Sequence, residues 1–427
     1  MRVAFYESDI TPPLGGFISG HYANVRGNDV VDKLYAKAVV IEDGDNIAAL
    51  MVMDTVHIPG DARDAITKRV YEYTGIRPEN VCICSNHTHA GAPVLSNPEL
   101  ECYEDATYKD VFLRLCADAI ILAYKRLDDA TAKFGSCNVE GIAFNRTFVL
   151  EDGTFVTHGR GRKNIKESLG GIDTELGVLV FERDGKPIGA VTNYACHQCC
   201  MGPIKGYSGD YSSIMSKKLK EYYGQDFVNV FVIGCAGDVN HHNPDINVPV
   251  PNDIYITMGL KLAEGAKTSI DNATDSNGKV GMITAPIEFN LRQADYDYTK
   301  ARVLHYLNTD DHFMRVRNLL HYNSNNHNKT QTVFVQGISV GDTCIYALPG
   351  EVFVEIGLEI KEKSPFKNNL VAENTNTRSG YVCPERVFGD NDNLYETALC
   401  FGSCYAPDSC EKLISKSIEV AKLLKEV

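Results

Sequence analysis

Residues 80–91 read NVCICSNHTHAG. A short run of β-branched and small apolar side chains breaks into a polar, glycine-containing turn that carries His87 and His89. A run of about 4–8 such residues bounded by turn signals reads as a strand buried on both faces. Four more stretches follow the same grammar. IAALMVMD (47–54) ends at Asp54, and AVTNYACHQ (190–198) delivers His197. VNVFVIGCAGDVNHH (228–242) delivers Asp238, Asn240, His241 and His242, and TCIYALPGE (343–351) ends at Glu351. Amphipathic stretches alternate with these runs, and their spacing predicts helices over 61–75, 104–126, 211–224, 254–268, 297–321, 351–363 and 409–425. That alternation is the pattern of an α/β fold, mixed sheets with flanking helices. No internal repeat is legible, and the polar NSNNHN (323–328) reads as a surface loop rather than a linker. The chain is therefore expected to form a single large catalytic domain over 1–427.

In open α/β sheets, ligands bind in the crevice beyond the carboxyl ends of the strands. Five strand ends bearing His, Asp or Glu predict one polar site assembled from distant segments. Composition narrows what that site serves. Among 427 residues, Lys and Arg number 42 and Asp and Glu 56, a net charge of −14 that argues against a nucleic-acid or acidic-membrane partner. No apolar run is long enough to span a bilayer. The 14 cysteines fall mostly in apolar runs, as at Cys82, Cys84, Cys235 and Cys344, where a free thiol packs as a small hydrophobe. A reducing cytoplasm is the expected location, and an assembly of identical copies is compatible with the chain.

His87 and His89 stand two apart, so on an extended backbone both imidazoles leave one face. They can meet one metal, or one can ligate while the other handles protons; a hydrogen-bonded pair at a strand end is the plainer alternative. Cys196 and Cys199 flank His197 as C-x-x-C, but no second pair completes a zinc ribbon, so buried thiols are expected there. GISVG (337–341) matches the nucleophile-elbow spacing, yet its setting, TVFVQGISVGDTCIYALP, reads as two strands joined at Gly341-Asp342, which removes Ser339 as a nucleophile. HGRGRK, around Gly159 to Gly161, reads as a solvated basic turn. Glu351 is read at a helix N-terminus, becoming a ligand only if its strand aims at the histidines.

Taken in order, NHTHAG (86–91), FNRT (144–147), DTELGVLVF (173–181), NYACH (193–197), SGDY (208–211), GCAGDVN (234–240) and LPGE (348–351) resemble the N-terminal catalytic domain of the neutral/alkaline non-lysosomal ceramidases. ITPPLGGFISGHYA (10–23), DKLYAKAVVIED (32–43) and SGYVCPERVF (379–388) extend the likeness over nearly the whole chain. The resemblance implies a zinc amidase site at the bottom of a pocket. It implies His87, His197, Glu351 and Tyr381 as zinc ligands, His89 as the proton-handling residue and Arg146 as the group that orients or polarises substrate. Tyr381 rests on the resemblance alone. One departure matters: where the family has a serine in GDVSPN, this chain has Asn240. A metal-bound water is therefore the expected attacker on a linear amide.

Asp210 is placed with the catalytic groups, as an orienter or an aid to the attacking water, with helix capping as its alternative. Asp238 is read the same way, with a tight turn as its alternative. Asn240 and His241 are expected against substrate, and His242 as part of a turn. Ceramidases of the family carry a secretion signal and an immunoglobulin-like domain that this chain is read to lack, so a smaller soluble amide or ester is the expected substrate. The alternatives are a zinc esterase, lactonase or sugar-amide hydrolase, and a non-catalytic metal-containing binding protein.

Overall fold

The apolar runs do become strands, and they are continuous because both of their faces are covered. Along Tyr35–Asp43, Ala38 and Val40 face one core while Val39 and Ile41 face another. In a computed structural model, the structure describes residues 1–21, 23–96, 102–202, 205–307, 312–377, 380–389 and 394–426.

Three sheets share one topology. In the first, Arg2–Asp9, Tyr35–Asp43 and Asn46–Met53 form an antiparallel meander, and the helix Ala62–Thr74 leads to Val81–Ser85, which pairs parallel to the last of them. In the second, Thr131–Asn138, Glu175–Arg183 and Lys186–Tyr194 form the meander, the helix Asp210–Tyr223 crosses over, and Val228–Ile233 pairs parallel. In the third, Val280–Asn290, Thr330–Val340 and Thr343–Ala347 are followed by the helix Val354–Lys363 and the parallel strand Asn368–Ala372. Each unit then adds a longer helix, Ala106–Tyr124, Ile254–Asp271 or Ser409–Glu426, laid across its first two strands. A parallel pair needs such a crossover, because a tight turn can only return a strand antiparallel.

The outer face of each sheet and its two helices enclose a separate apolar cluster. The inner faces of all three meet in a fourth, where Val39, Leu50 and Cys82 join Leu179, Val191 and Val230, and Ile338, Ile345 and Leu370. Isolated bridges between Cys84 and Thr375 and between Gly234 and Ala372 tie the three parallel strands together at their carboxyl ends. The repeat absent from the sequence is thus present in the topology. Packing constrains apolarity and period, and many residue choices satisfy both.

Two helix expectations change. The stretch 297–321 is divided: Tyr296–Tyr306 forms one helix and His312–Asn325 another, with 308–311 outside the described residues. The NTDD sequence at 308–311 is rich in turn and capping residues, a signal the helical period overrode. The helix expected over 351–363 starts at Val354 instead, because Glu351 and Val352 pair in parallel register with Tyr381 and Val382. The hairpin at Gly341-Asp342 forms as read, with Gly341 at φ +54°.

Candidate metal centre and active site

Each unit delivers side chains from the same two places, just beyond the last meander strand and just beyond the parallel strand. Beyond the meanders stand His57, four residues after Met53, His197, three after Tyr194, and Glu351, four after Ala347. Beyond the parallel strands come His87, Asp238 with Asn240, and further on Tyr381.

The turn after Ser85 places His87 with a backbone φ of +66°, a costly conformation for a non-glycine residue. Asn86 holds it there. Its backbone N–H donates to Met53 O at 3.1 Å and its side-chain amide to Asp54 Oδ1 at 2.6 Å, while its Oδ1 accepts from Thr88 N at 3.2 Å. Burial pushes the Asp54 carboxyl up to about 6. His87 and His89 therefore converge through a turn, not along an extended strand as the spacing suggests.

The imidazoles are fixed from behind. His87 Nδ1 lies 2.7 Å from Val56 O, His197 Nδ1 2.7 Å from Ala236 O, and His89 Nδ1 3.0 Å from Gly20 O. A carbonyl only accepts, so each Nδ1 carries a proton and Nε2 is the nitrogen left to face a ligand. The Nε2 atoms of His87 and His197 approach to 3.0 Å, and His89 Nε2 is 3.4 Å from His87 Nε2. Glu351 Oε2 lies 3.4 Å from His87 Nε2 and 3.2 Å from His197 Nε2, buried and with no hydrogen-bond partner of its own. Burial, reinforced by Arg146 and His87, pushes His197 down to about 3. Burial, with the neighbouring His87 and His197, likewise holds His89 well below the usual imidazole range. Burial works to raise the Glu351 carboxyl, yet His87 and His197 hold it well below the usual range. Two imidazole nitrogens and a carboxylate oxygen thus converge on one point, where a cation, or a proton in its absence, can stand among them. The donor set of imidazole nitrogens and carboxylate oxygen suits zinc.

Tyr381 stands directly across the parallel ladder from Glu351. Its hydroxyl accepts from Arg146 Nη2 at 3.1 Å. Arg146 is buried and braced by two further bonds, Nε to Glu396 Oε1 at 2.7 Å and Nη2 to Gly237 O at 2.6 Å. Its Nη1 has no protein acceptor among the described residues, leaving two N–H groups for a ligand. The cavity of about 480 Å³ over these groups is lined by His87, His89, Arg146, His197, Glu351 and Tyr381, and by Asn240.

Three expectations are corrected. Asp210 does not line the cavity: its carboxylate accepts from Cys200 N at 2.8 Å and Tyr211 N at 2.6 Å, anchoring the loop after His197 to the helix start. His241 turns away, with Nδ1 3.9 Å from Cys199 Sγ, and His242, read as turn, lines the cavity in its place. The basic turn around Gly159 to Gly161 forms at the surface as read, and within it the Arg160 guanidinium donates to the carbonyls of Asn243, Asp245, Ile246 and Val248. Asp238 does not line the cavity either; its carboxylate accepts from Asn145 Nδ2 at 2.7 Å and Val354 N at 2.8 Å. Two residues went unread. His57, with Nε2 3.7 Å from Glu351 Oε1, lies three residues past the Asp54 at which the strand-end reading stopped. Glu396, wholly buried against Arg146, carries no local signal.

Residues 2–249 match the model of the family described as neutral/alkaline non-lysosomal ceramidase, N-terminal. The chain belongs to that family. The match includes His87, Arg146 and His197 and stops short of Glu351 and Tyr381, which the fold comparison covers. Neutral ceramidase from Pseudomonas aeruginosa has a TM-score of 0.75 to this ceramidase-family chain at 16% identity, over 100% of this chain and 74% of that one. A ceramidase complexed with C2 gives a TM-score of 0.75 at 15% identity, over 100% and 75%. At such identity the likeness is one of fold. No curated protein matches the chain. Family and fold support an amide-bond hydrolase. Among the described residues no helix is long and apolar enough to cross a membrane.

Proposed function

We propose that the chain is a zinc-dependent amidase whose substrate is smaller and more polar than ceramide. The observation that carries the reading is the convergence of His87 Nε2, His197 Nε2 and Glu351 Oε2 within 3.0–3.4 Å of one another. These three would hold the ion, with Tyr381 beside Glu351 as the fourth ligand. Bound there, zinc would supply Lewis acidity and bring the pKa of a coordinated water down toward about 7.

The chain's own groups account for the rest. Arg146, immobilised by Glu396 and Gly237, directs its Nη1 donors at the oxygen on which charge develops as the amide carbonyl is attacked. His89 carries its proton on Nδ1, so Nε2 is the nitrogen that accepts a proton from the attacking water and returns it to the leaving amine nitrogen. Asn240 offers a carboxamide in the cavity and cannot act as a nucleophile. The products are a carboxylic acid and an amine. Each of the three topological units contributes a ligand, so residues 1–427 are read as one catalytic domain. The cysteines, most of them buried in apolar surroundings, support a reducing, cytoplasmic setting.

Metal analysis of the purified chain beside hydrolysis of short N-acyl amines tests this reading. Near-stoichiometric zinc lost in His87→Ala and His197→Ala, together with loss of hydrolysis, is expected. Full metal retention in both variants would overturn it.

A further inference from the structure

Asn240 is 1% exposed, yet only one end of its carboxamide is used within the protein. Its Oδ1 accepts from His242 N at 2.9 Å. A backbone N–H only donates, so this bond fixes which way the amide is turned. Asn240 lines the cavity, and with Oδ1 committed it presents Nδ2, which has no protein acceptor among the described residues. A buried donor without an acceptor is costly, and the cavity is the direction from which one can come.

The backbone around Asn240 is tied to the catalytic groups on both sides. Val239–Asn240 pairs antiparallel with Phe144–Asn145, and Arg146 N donates to Asp238 O at 2.8 Å. Asn240 stands opposite Phe144, two residues before Arg146, so the cavity-lining side chains of Asn240 and Arg146 are diagonal neighbours across the ladder. Val239 O accepts from His197 N at 3.1 Å, which fixes the same short strand against the metal site. The residues that follow are held as well. The His242 ring packs on that of buried His241, with centroids 4.0 Å apart, and Arg160 fastens the carbonyls of residues 243–248 from the surface. His242 N is thereby kept under Asn240 Oδ1, and Nδ2 stays aimed without rearrangement, the condition under which a donor stabilises developing charge best.

Resting on the amidase reading above, we propose that Asn240 Nδ2 is a second donor to the oxygen of the scissile amide, acting together with Arg146 Nη1. The bond strengthens as that oxygen gains negative charge, so Asn240 acts on turnover rather than on substrate affinity. The orientation of the amide is what makes this possible, because an acceptor presented at the same place would repel the carbonyl oxygen. The departure at this position, Asn240 in place of a serine, thus supplies a donor of fixed polarity.

The test uses the full zinc-loaded chain with N-ethylhexanamide as substrate and the matching phosphonamidate, whose tetrahedral phosphorus carries an anionic oxygen in place of the carbonyl, as a mimic of the charged state. Asn240→Asp keeps the shape and the acceptor for His242 N but offers an oxygen where Nδ2 stood. Asn240→Ala removes the group without adding charge. Both are expected to lower kcat about 10²–10³-fold, with KM within about threefold of the unaltered chain and zinc content unchanged. Both should weaken phosphonamidate binding, measured by calorimetry, about 10–100-fold. A residue that only shaped the loop would tolerate Asn240→Asp, because the bond to His242 N survives. Weaker phosphonamidate binding in both variants of a chain that hydrolyses no amide would support this inference while the amidase reading fails. Near-normal kcat in Asn240→Asp, a loss confined to KM, or a loss in Asn240→Asp alone would overturn it. So would phosphonamidate binding unchanged in both variants.

Discussion

The Arg146–Glu396 pair separates what holds the site from what works in it. Their side chains are 7% and 0% exposed, with Nε and Oε1 2.7 Å apart. Glu396 Oε2 accepts in addition from Thr157 Oγ1 at 2.6 Å, so the carboxylate is satisfied on both oxygens. Glu396→Ala leaves a guanidinium buried without its counter-charge, a loss of about 3–5 kcal/mol. Glu396→Gln keeps the volume and an acceptor for Nε, so its cost should be smaller, about 1–3 kcal/mol. Arg146→Met combined with Glu396→Leu removes both charges and refills the space, and a buried pair so replaced is often close to neutral. The double variant should therefore regain more than half of the stability lost in Glu396→Ala. It should not regain activity, because its oxyanion donor is gone, a loss of about 10²–10³ in kcat. Urea unfolding of the four proteins, read beside hydrolysis of a short N-acyl amine, checks both halves. A Glu396→Ala loss below about 1 kcal/mol, or a double variant less stable than Glu396→Ala, would refute the reasoning. A double variant with near-normal turnover would remove Arg146 from the chemistry.

Three further outcomes are expected. His89→Ala should lower kcat about 10²–10⁴-fold while metal content by atomic spectroscopy stays near stoichiometric, whereas Ser339→Ala, in a strand away from the cavity, should change turnover little. Asp210→Ala should destabilise the fold by about 1–3 kcal/mol, because two buried amide donors lose their acceptor; an Asp210→Asn protein with normal stability but abolished turnover would instead return Asp210 to the chemistry. Gly20→Ala should lower turnover, since Gly20 sits at φ +94° and a Cβ there would lie 2.8 Å from His89 Nδ1; unchanged kinetics in this variant would show that Gly20 does not hold the His89 ring.

The parts legible in the sequence were those governed by local pattern. Strands buried on both faces must be largely apolar, which made VCICS, the AVTNY end of the strand before His197, and TCIYA readable, and a polar turn after each pointed to His87, His197 and Glu351. Tyr381 had no such signal, because the strand that carries it is two residues long, and it came from resemblance alone. Asp210 misled for a physical reason. A carboxylate tying a loop to a helix start and one assisting catalysis occupy the same place in sequence, and only the partners of the two oxygens separate them.

His57 shows what the topology adds beyond the pattern. The five apolar runs look equivalent in sequence, but each unit has two kinds of strand end. Sorted by unit, the ends of the three meanders give His57, His197 and Glu351, all within four residues of the strand. His57 then occupies in the first unit the place that proposed ligands occupy in the other two, and its Nε2 faces the Glu351 oxygen turned away from His197. His87 has only Nε2 to offer, since Nδ1 is committed to Val56 O, so the grouping of His57, His87 and Glu351 shares one centre with that of His87, His89 and His197. His57 therefore belongs to the surroundings of the same centre, on the Oε1 side of Glu351 at the cavity. It is held there by the same strand-to-turn geometry that presents the ligands.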